Sequence, residues 1–207
     1  MSSAAAARLP RGRHSLSREE VASSQRERLL RGMADVMAEK GFARTSVADI
    51  LRAAGVSRET FYEQFSSKED CFMSAFEEAY TLLVGATATA AAEADTAGLE
   101  PFDRLEQLLG AYLDALASNP ADARVFLIEV NAAGAEPLAR RAELQHGLAL
   151  ALAAALGADS DEDRFTIEAF VAAVSSLVTS RLATGDVDGL RALHTPLMTL
   201  ARKALNA

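Results

Sequence analysis

The sequence has no tryptophan, a single cysteine, five prolines and no long uninterrupted apolar run. Cys71, being alone, excludes an intramolecular disulfide and with it a secreted disulfide scaffold, so a reducing, cytoplasmic location is expected. The longest apolar run, 147–157, is 11 residues against the ~20 needed to span a membrane, and residues 1–20 lack a signal-peptide apolar core. A soluble chain without a membrane partner is therefore expected. Aromatics make up 6% of the residues, and valine, isoleucine and threonine are too thinly spread to build several strands. Enzyme signatures are missing as well. There is no P-loop, dinucleotide fingerprint, nucleophile elbow or metal box, and His14, His146 and His194 stand apart from any cysteine–carboxylate cluster. A non-enzyme without cofactor or metal is the expectation.

What is present is alanine and leucine at helical spacing, which points to an all-α fold. The net charge of −8 conceals a division. Up to Lys68 there are 12 Lys and Arg against 8 Asp and Glu, a balance of +4, and the remainder carries 9 against 21, or −12. Only the amino-terminal third suits a polyanion. Three segments are expected: a basic flexible arm at 1–19, a small domain at 20–68, and a helical bundle at 69–207. The periodicity predicts a first helix from Glu19 to Lys40 through Val21, Leu29, Leu30, Met33, Val36 and Met37. Two short helices follow, capped by Thr45 or Ser46 and by Ser57, with Gly55 between them. Lys68 opens a long connecting helix that fades at 94–98. Further helices are predicted from Pro101 to Ser118 and at about 121–132, 136–156, 161–183 and 187–205, the last kinked or split at Pro196, giving nine to ten in all.

Residues 46–65 meet the needs of a helix-turn-helix: two short helices, a tight turn holding a glycine, and a second helix with a polar outer side. Around them, GFARTSVADILRAAGVSRETFYEQFSSKEDCF resembles the amino-terminal domain of TetR-type transcriptional regulators over roughly residues 24–75. The resemblance rests on the ordered series Gly41-Phe42, Thr45-Ser46, Ile50, Ala54-Gly55-Val56, Thr60-Phe61-Tyr62, Phe65 and Lys68. It implies a homodimer that binds double-stranded DNA and responds to a small-molecule effector of unknown identity, with the last two long helices forming the two-fold interface. The expected output is a repressor released from a palindromic operator. A helical ligand-binding or protein-interaction module without operator specificity is the alternative, kept open by Glu59 and Glu63 on the would-be reading helix.

Carried over residue by residue, the resemblance gives Thr45 and Ser46 phosphate contacts at the start of the second helix, and Ser57 and Thr60 phosphate or base-edge contacts from the third. Arg58 would read a guanine with both arms of its guanidinium, and Tyr62 and Lys68 would each reach a phosphate. Gln64 stands where many relatives have histidine, and an amide there can bond an adenine edge. Phe61 and Phe65, four residues apart, are expected in the core. Arg11 and Arg13 are either minor-groove contacts of the arm or plain surface. In the bundle, Phe102, Tyr112, Phe126, Phe170, Glu129 and His146 are candidate pocket residues, each with plain core packing or a local polar partner as the alternative. Phe165 has the same ambiguity. Cys71 falls in a core phase of the connecting helix and is expected to be a structural thiol. The interface expectation rests on small residues Ala169, Ala172, Ala173, Ser176 and Ser180, facing a last helix with Leu193, Leu197, Leu200 and Leu205.

Overall fold

Ser17 opens the first helix. In the computed structural model, which describes residues 17–205, its hydroxyl accepts the Glu20 N–H at 3.1 Å while the Glu20 carboxylate accepts the Ser17 N–H at 2.6 Å. This reciprocal cap satisfies two otherwise orphaned amide donors and starts α1 at Arg18–Lys40, one residue earlier than the apolar period suggests. Arg11 and Arg13 lie outside the described residues. Val21, assigned to the apolar stripe by its spacing, is 39% exposed, because the first turns of α1 project beyond the core that buries Leu29, Met33 and Met37.

The same local chemistry sets the next three helices. Ser46 and Asp49 form a second capping box at the start of α2 (Val47–Ala54), Ser57 caps α3 (Arg58–Gln64), and Ser67 caps α4 (Lys68–Ala97). Gly55 ends α2 in the left-handed region at φ 64°, ψ 41°, a conformation that costs a Cβ-bearing residue ~1 kcal/mol or more. At 1.5 Å per residue, α4 is about 45 Å long and runs from one core to the other. Cys71, Phe72 and Phe76 in its first turns pack with Leu29, Met33, Ile50, Phe61 and Phe65, and Leu83 packs in the bundle. The carboxy-terminal helices are α5 (Pro101–Ser118), α6 (Pro120–Leu127), α7 (Ala135–Ala155), α8 (Asp161–Thr184), α9 (Val187–Arg191) and α10 (His194–Ala204). Two 3-10 turns, Phe42–Arg44 and Glu129–Asn131, complete an architecture with no strand among the described residues.

Two boundaries depart from the sequence expectation. The helix expected to reach residue 132 stops at Leu127, and the Asn131 side-chain amide donates to the freed carbonyl of Ile128 at 3.0 Å. The last helix breaks at 192–193, ahead of Pro196. Pro196 consequently occupies the first turn of α10, where its missing N–H leaves no intrahelical bond unmade.

The two cores meet at α6. Val125 and Val130 are buried among the amino-terminal residues, Leu127 is buried in the bundle, and the Phe126 ring touches both sides. Phe126 stacks on Phe76 at 5.1 Å and on Tyr80 at 6.0 Å, continuing an aromatic series from Phe42 through Phe72, whose rings meet edge-on at 5.0 Å.

Candidate nucleic-acid interface

Helix α3 is a seven-residue element held by its inner face. Phe61 and Phe65 are 0% and 2% exposed, which turns Arg58, Glu59, Tyr62 and Glu63 to the outside on adjoining positions of one face. The Tyr62 ring is propped edge-on against Phe61 at 5.3 Å and remains half in solvent. Ser57 accepts the Thr60 N–H at 3.0 Å, and the two hydroxyls lie 2.9 Å apart, so Thr60 is tied into the cap. Arg58 makes no ion pair or hydrogen bond among the described residues, leaving its guanidinium fork available. Gln64 is half-buried at the end of the helix.

The flanks are ordered by charge. Asp49 takes Lys40 at 2.6 Å and Arg52 at 3.1 Å, and the Lys40 contact, with help from the Ser46 hydroxyl and amide, holds its carboxyl well below the usual range. The acid in α2 is thereby neutralised by two cations, and Arg52 keeps its side chain 77% exposed. Sequence reasoning passed over Arg52; the signal was its spacing of three from Asp49. Arg44 is exposed, donating Nε to the Lys40 carbonyl at 2.7 Å. The Lys68 ammonium sits 3.9 Å from the centre of the Phe42 ring and 3.3 Å from the Phe42 carbonyl, half-buried at the edge of the same surface.

Thr45 does not join this face. It is 4% exposed, its hydroxyl donates to the Gly41 carbonyl at 2.8 Å and its amide donates to Phe42. Neither group is free for a phosphate, and the hydroxyl at the start of α2 is that of Ser46, which is exposed but bonded to Asp49 at 2.5 Å.

Of the six candidate pocket residues, Phe102, Tyr112, Phe126 and Phe170 pack in one cluster, the bundle core, and Glu129 and His146 lie outside it. Glu129 is 5% exposed and bonds the Phe42 amide, Phe126 is taken up by the aromatic series, and Phe102 lies under Arg202 at 5.6 Å. His146 is exposed on α7, and Phe165 is 71% exposed on α8. Phe170 is buried in the bundle core, and burial pushes the Tyr112 phenol up to about 12. Cys71 is fully buried and its thiol is likewise pushed up to about 12, which leaves almost no thiolate for redox chemistry at neutral pH.

Residues 29–75 match the family model described as bacterial regulatory proteins, tetR family. Among curated proteins, the chain is 32% identical over 92 residues to the uncharacterized HTH-type transcriptional regulator YerO of Bacillus subtilis, covering 44% of this chain and 31% of that protein. It is 30% identical over 125 residues to the HTH-type transcriptional regulator EthR of Mycolicibacterium smegmatis, covering 60% of this chain and 55% of that one. The chain thus spans from about a third to just over half of the length of these relatives. The fold is shared more widely: the fatty acid degradation regulator FadR from Bacillus halodurans superposes with a TM-score of 0.73 at 24% identity, over 85% of this chain and 93% of that one. The family match is confined to residues 29–75: this amino-terminal segment is similar to that of the bacterial regulatory proteins of the tetR family.

Proposed function

We propose that the protein is a homodimeric, sequence-specific DNA-binding transcriptional regulator, acting as a repressor that a small ligand releases from a palindromic operator. The observation that carries this reading is the outward Arg58, without an ion pair or hydrogen bond among the described residues, on a short capped helix seated on an aromatic core, in a domain that also exposes Arg44 and Arg52 and half-exposes Lys68. A guanidinium fork with no partner among the described residues is suited to the two acceptors of a guanine in the major groove. Glu59 and Glu63 on the same face reduce non-specific attraction to phosphate and so favour selectivity over bare affinity.

Dimerisation is supported by α8. Part of this helix is long and apolar enough, by composition, to cross a membrane, yet only 28% of that stretch is buried in a single chain. Ala169, Ala172, Ser176 and Ser180 are exposed along it with Phe165 and Leu177, and Leu200 is exposed on α10. Leu193 and Leu197, expected at the interface, are instead buried in their own bundle, and Leu205 packs against the α7–α8 cluster. A second copy is the cover proposed for this face. Ligand binding in the bundle would shift the pair toward a spacing that no longer fits the operator, acting through α4.

Selection of bound duplexes from random DNA, with affinity measured at two salt concentrations, tests the reading. The expected result is a palindrome whose half-sites are centred about 34 Å apart. Binding that is absent, or indifferent to sequence, would favour a helical interaction module instead.

A further inference from the structure

The segment between α1 and α2 is held from a distance. Glu129 Oε2 accepts the Phe42 N–H at 2.7 Å, a buried bond between residues 87 apart in sequence. Among the described residues it is the only hydrogen bond or ion pair joining residues 17–67 to residues 98–205; besides it, the junction has apolar packing, such as Val125 and Val130 against the amino-terminal core, and the longer-range charges of Arg31 and Asp35 on α1 acting on Asp122 of α6. Apolar contacts tolerate sliding, whereas a charge-assisted bond fixes one donor against one acceptor.

Both ends of this bond are themselves tied. On the bundle side, Glu129 Oε1 lies 3.6 Å from the Arg124 guanidinium, which also donates to the Leu182 carbonyl in the last turn of α8 at 3.2 Å. On the other side, the Phe42 carbonyl accepts the Thr45 amide at 3.1 Å and the Lys68 ammonium at 3.3 Å. Gly41 precedes it at φ 77°, and a Cβ there would stand 3.4 Å from Glu129 Oε2. The positive φ turns the Phe42 amide toward the carboxylate in a conformation that other residues rarely adopt. Burying a carboxylate costs several kcal/mol unless it is well partnered, and its shortest bond goes to this one amide.

We propose that Glu129 is a positioning residue for DNA reading: its carboxylate sets the pose of the helix-turn-helix on the bundle, and through Arg124 links that pose to the end of α8. The inference rests on the DNA-reading assignment above for its consequence, and on the Phe42 bond alone for its geometry.

Glu129→Ala deletes the acceptor, Glu129→Asp keeps the charge but withdraws it by one methylene, and Glu129→Gln keeps an acceptor oxygen in reach. Two quantities are measured in the full-length protein: hydrogen exchange at the Phe42 amide, and affinity for the duplex that the wild type selects from random DNA. In the Asp and Ala variants, Phe42 exchange should quicken by about tenfold or more and duplex affinity should fall by about tenfold, with helicity retained. Glu129→Gln should stay within about threefold of wild type in both. The Asp variant carries the test if the Ala variant does not fold. Unchanged Phe42 exchange in Glu129→Asp, or an Asp or Ala variant that binds the duplex as tightly as wild type, overturns the proposal. A wild type that selects no duplex removes the DNA-reading role for Glu129 together with the functional assignment, while Phe42 exchange separately reports whether the bond holds the turn.

Discussion

Arg58 and Lys68 carry the same charge and occupy opposite situations. Arg58 is exposed with no partner among the described residues, while Lys68 already covers the Phe42 ring and carbonyl. Truncating each should therefore have different consequences. Arg58→Ala should weaken binding to the selected duplex by about 1–3 kcal/mol and relax preference at one base pair, leaving the melting temperature unchanged. Lys68→Ala should weaken binding to all sequences alike and also lower the melting temperature, since it removes packing from Phe42. Selection repeated with the Arg58 variant checks this: an undiminished base preference would mean that the residue only contacts backbone. Thr45 shows what residue-level reading misses. Thr45-Ser46 is a plausible pair of hydroxyls in sequence, but a helix has one N-cap, and the hydroxyl next to it turned inward to the Gly41 carbonyl.

At the scale of elements, the legible parts were those fixed by neighbours in sequence. Ser46 with Asp49, Ser57 with Thr60 and the αL glycine at 55 all act within a few residues, so α2, the turn and α3 could be placed from the string alone. Helix faces in the bundle were less legible: Leu197 and Leu200 are three apart on α10 and share a side by spacing, yet Leu197 is buried at 2% and Leu200 exposed at 43%. The Glu129 partner was out of reach for a different reason. Its acceptor and donor are 87 residues apart, and only the packing of α6 on α1 and α4 brings them together. One packing contact yields a sharp prediction. Gly32 in α1 faces the end of α2, where an added Cβ would come within 3.1 Å of the Ala54 backbone nitrogen and 3.3 Å of the Ala53 Cβ. Gly32→Val should wedge the two helices apart, lowering stability by roughly 1–3 kcal/mol and weakening duplex binding with it. A Gly32→Val protein as stable as wild type, by thermal unfolding, would show that α1 and α2 do not meet this closely in solution.

For the whole molecule, the exposed apolar side of α8 sets the next test. A 24-residue helix whose apolar stretch is only 28% buried leaves a continuous face that a lone chain would expose to water. Ala172 lies on that face and is exposed, so replacing it with glutamate should not disturb the chain's own core. In a two-fold pair, each such glutamate would be buried in the interface without a cation, which costs several kcal/mol per charge. The expected outcome is a wild type that sediments at micromolar concentration with twice the 21.9 kDa chain mass, and an Ala172→Glu protein that sediments as a monomer with unchanged helicity. The monomer should still recognise one half-site through Arg58, but without a linked second half-site its affinity for the palindrome should fall by about 10²–10⁴-fold. A wild-type monomer, or a variant that remains dimeric, would place the two-fold axis elsewhere and leave the α8 face to another partner.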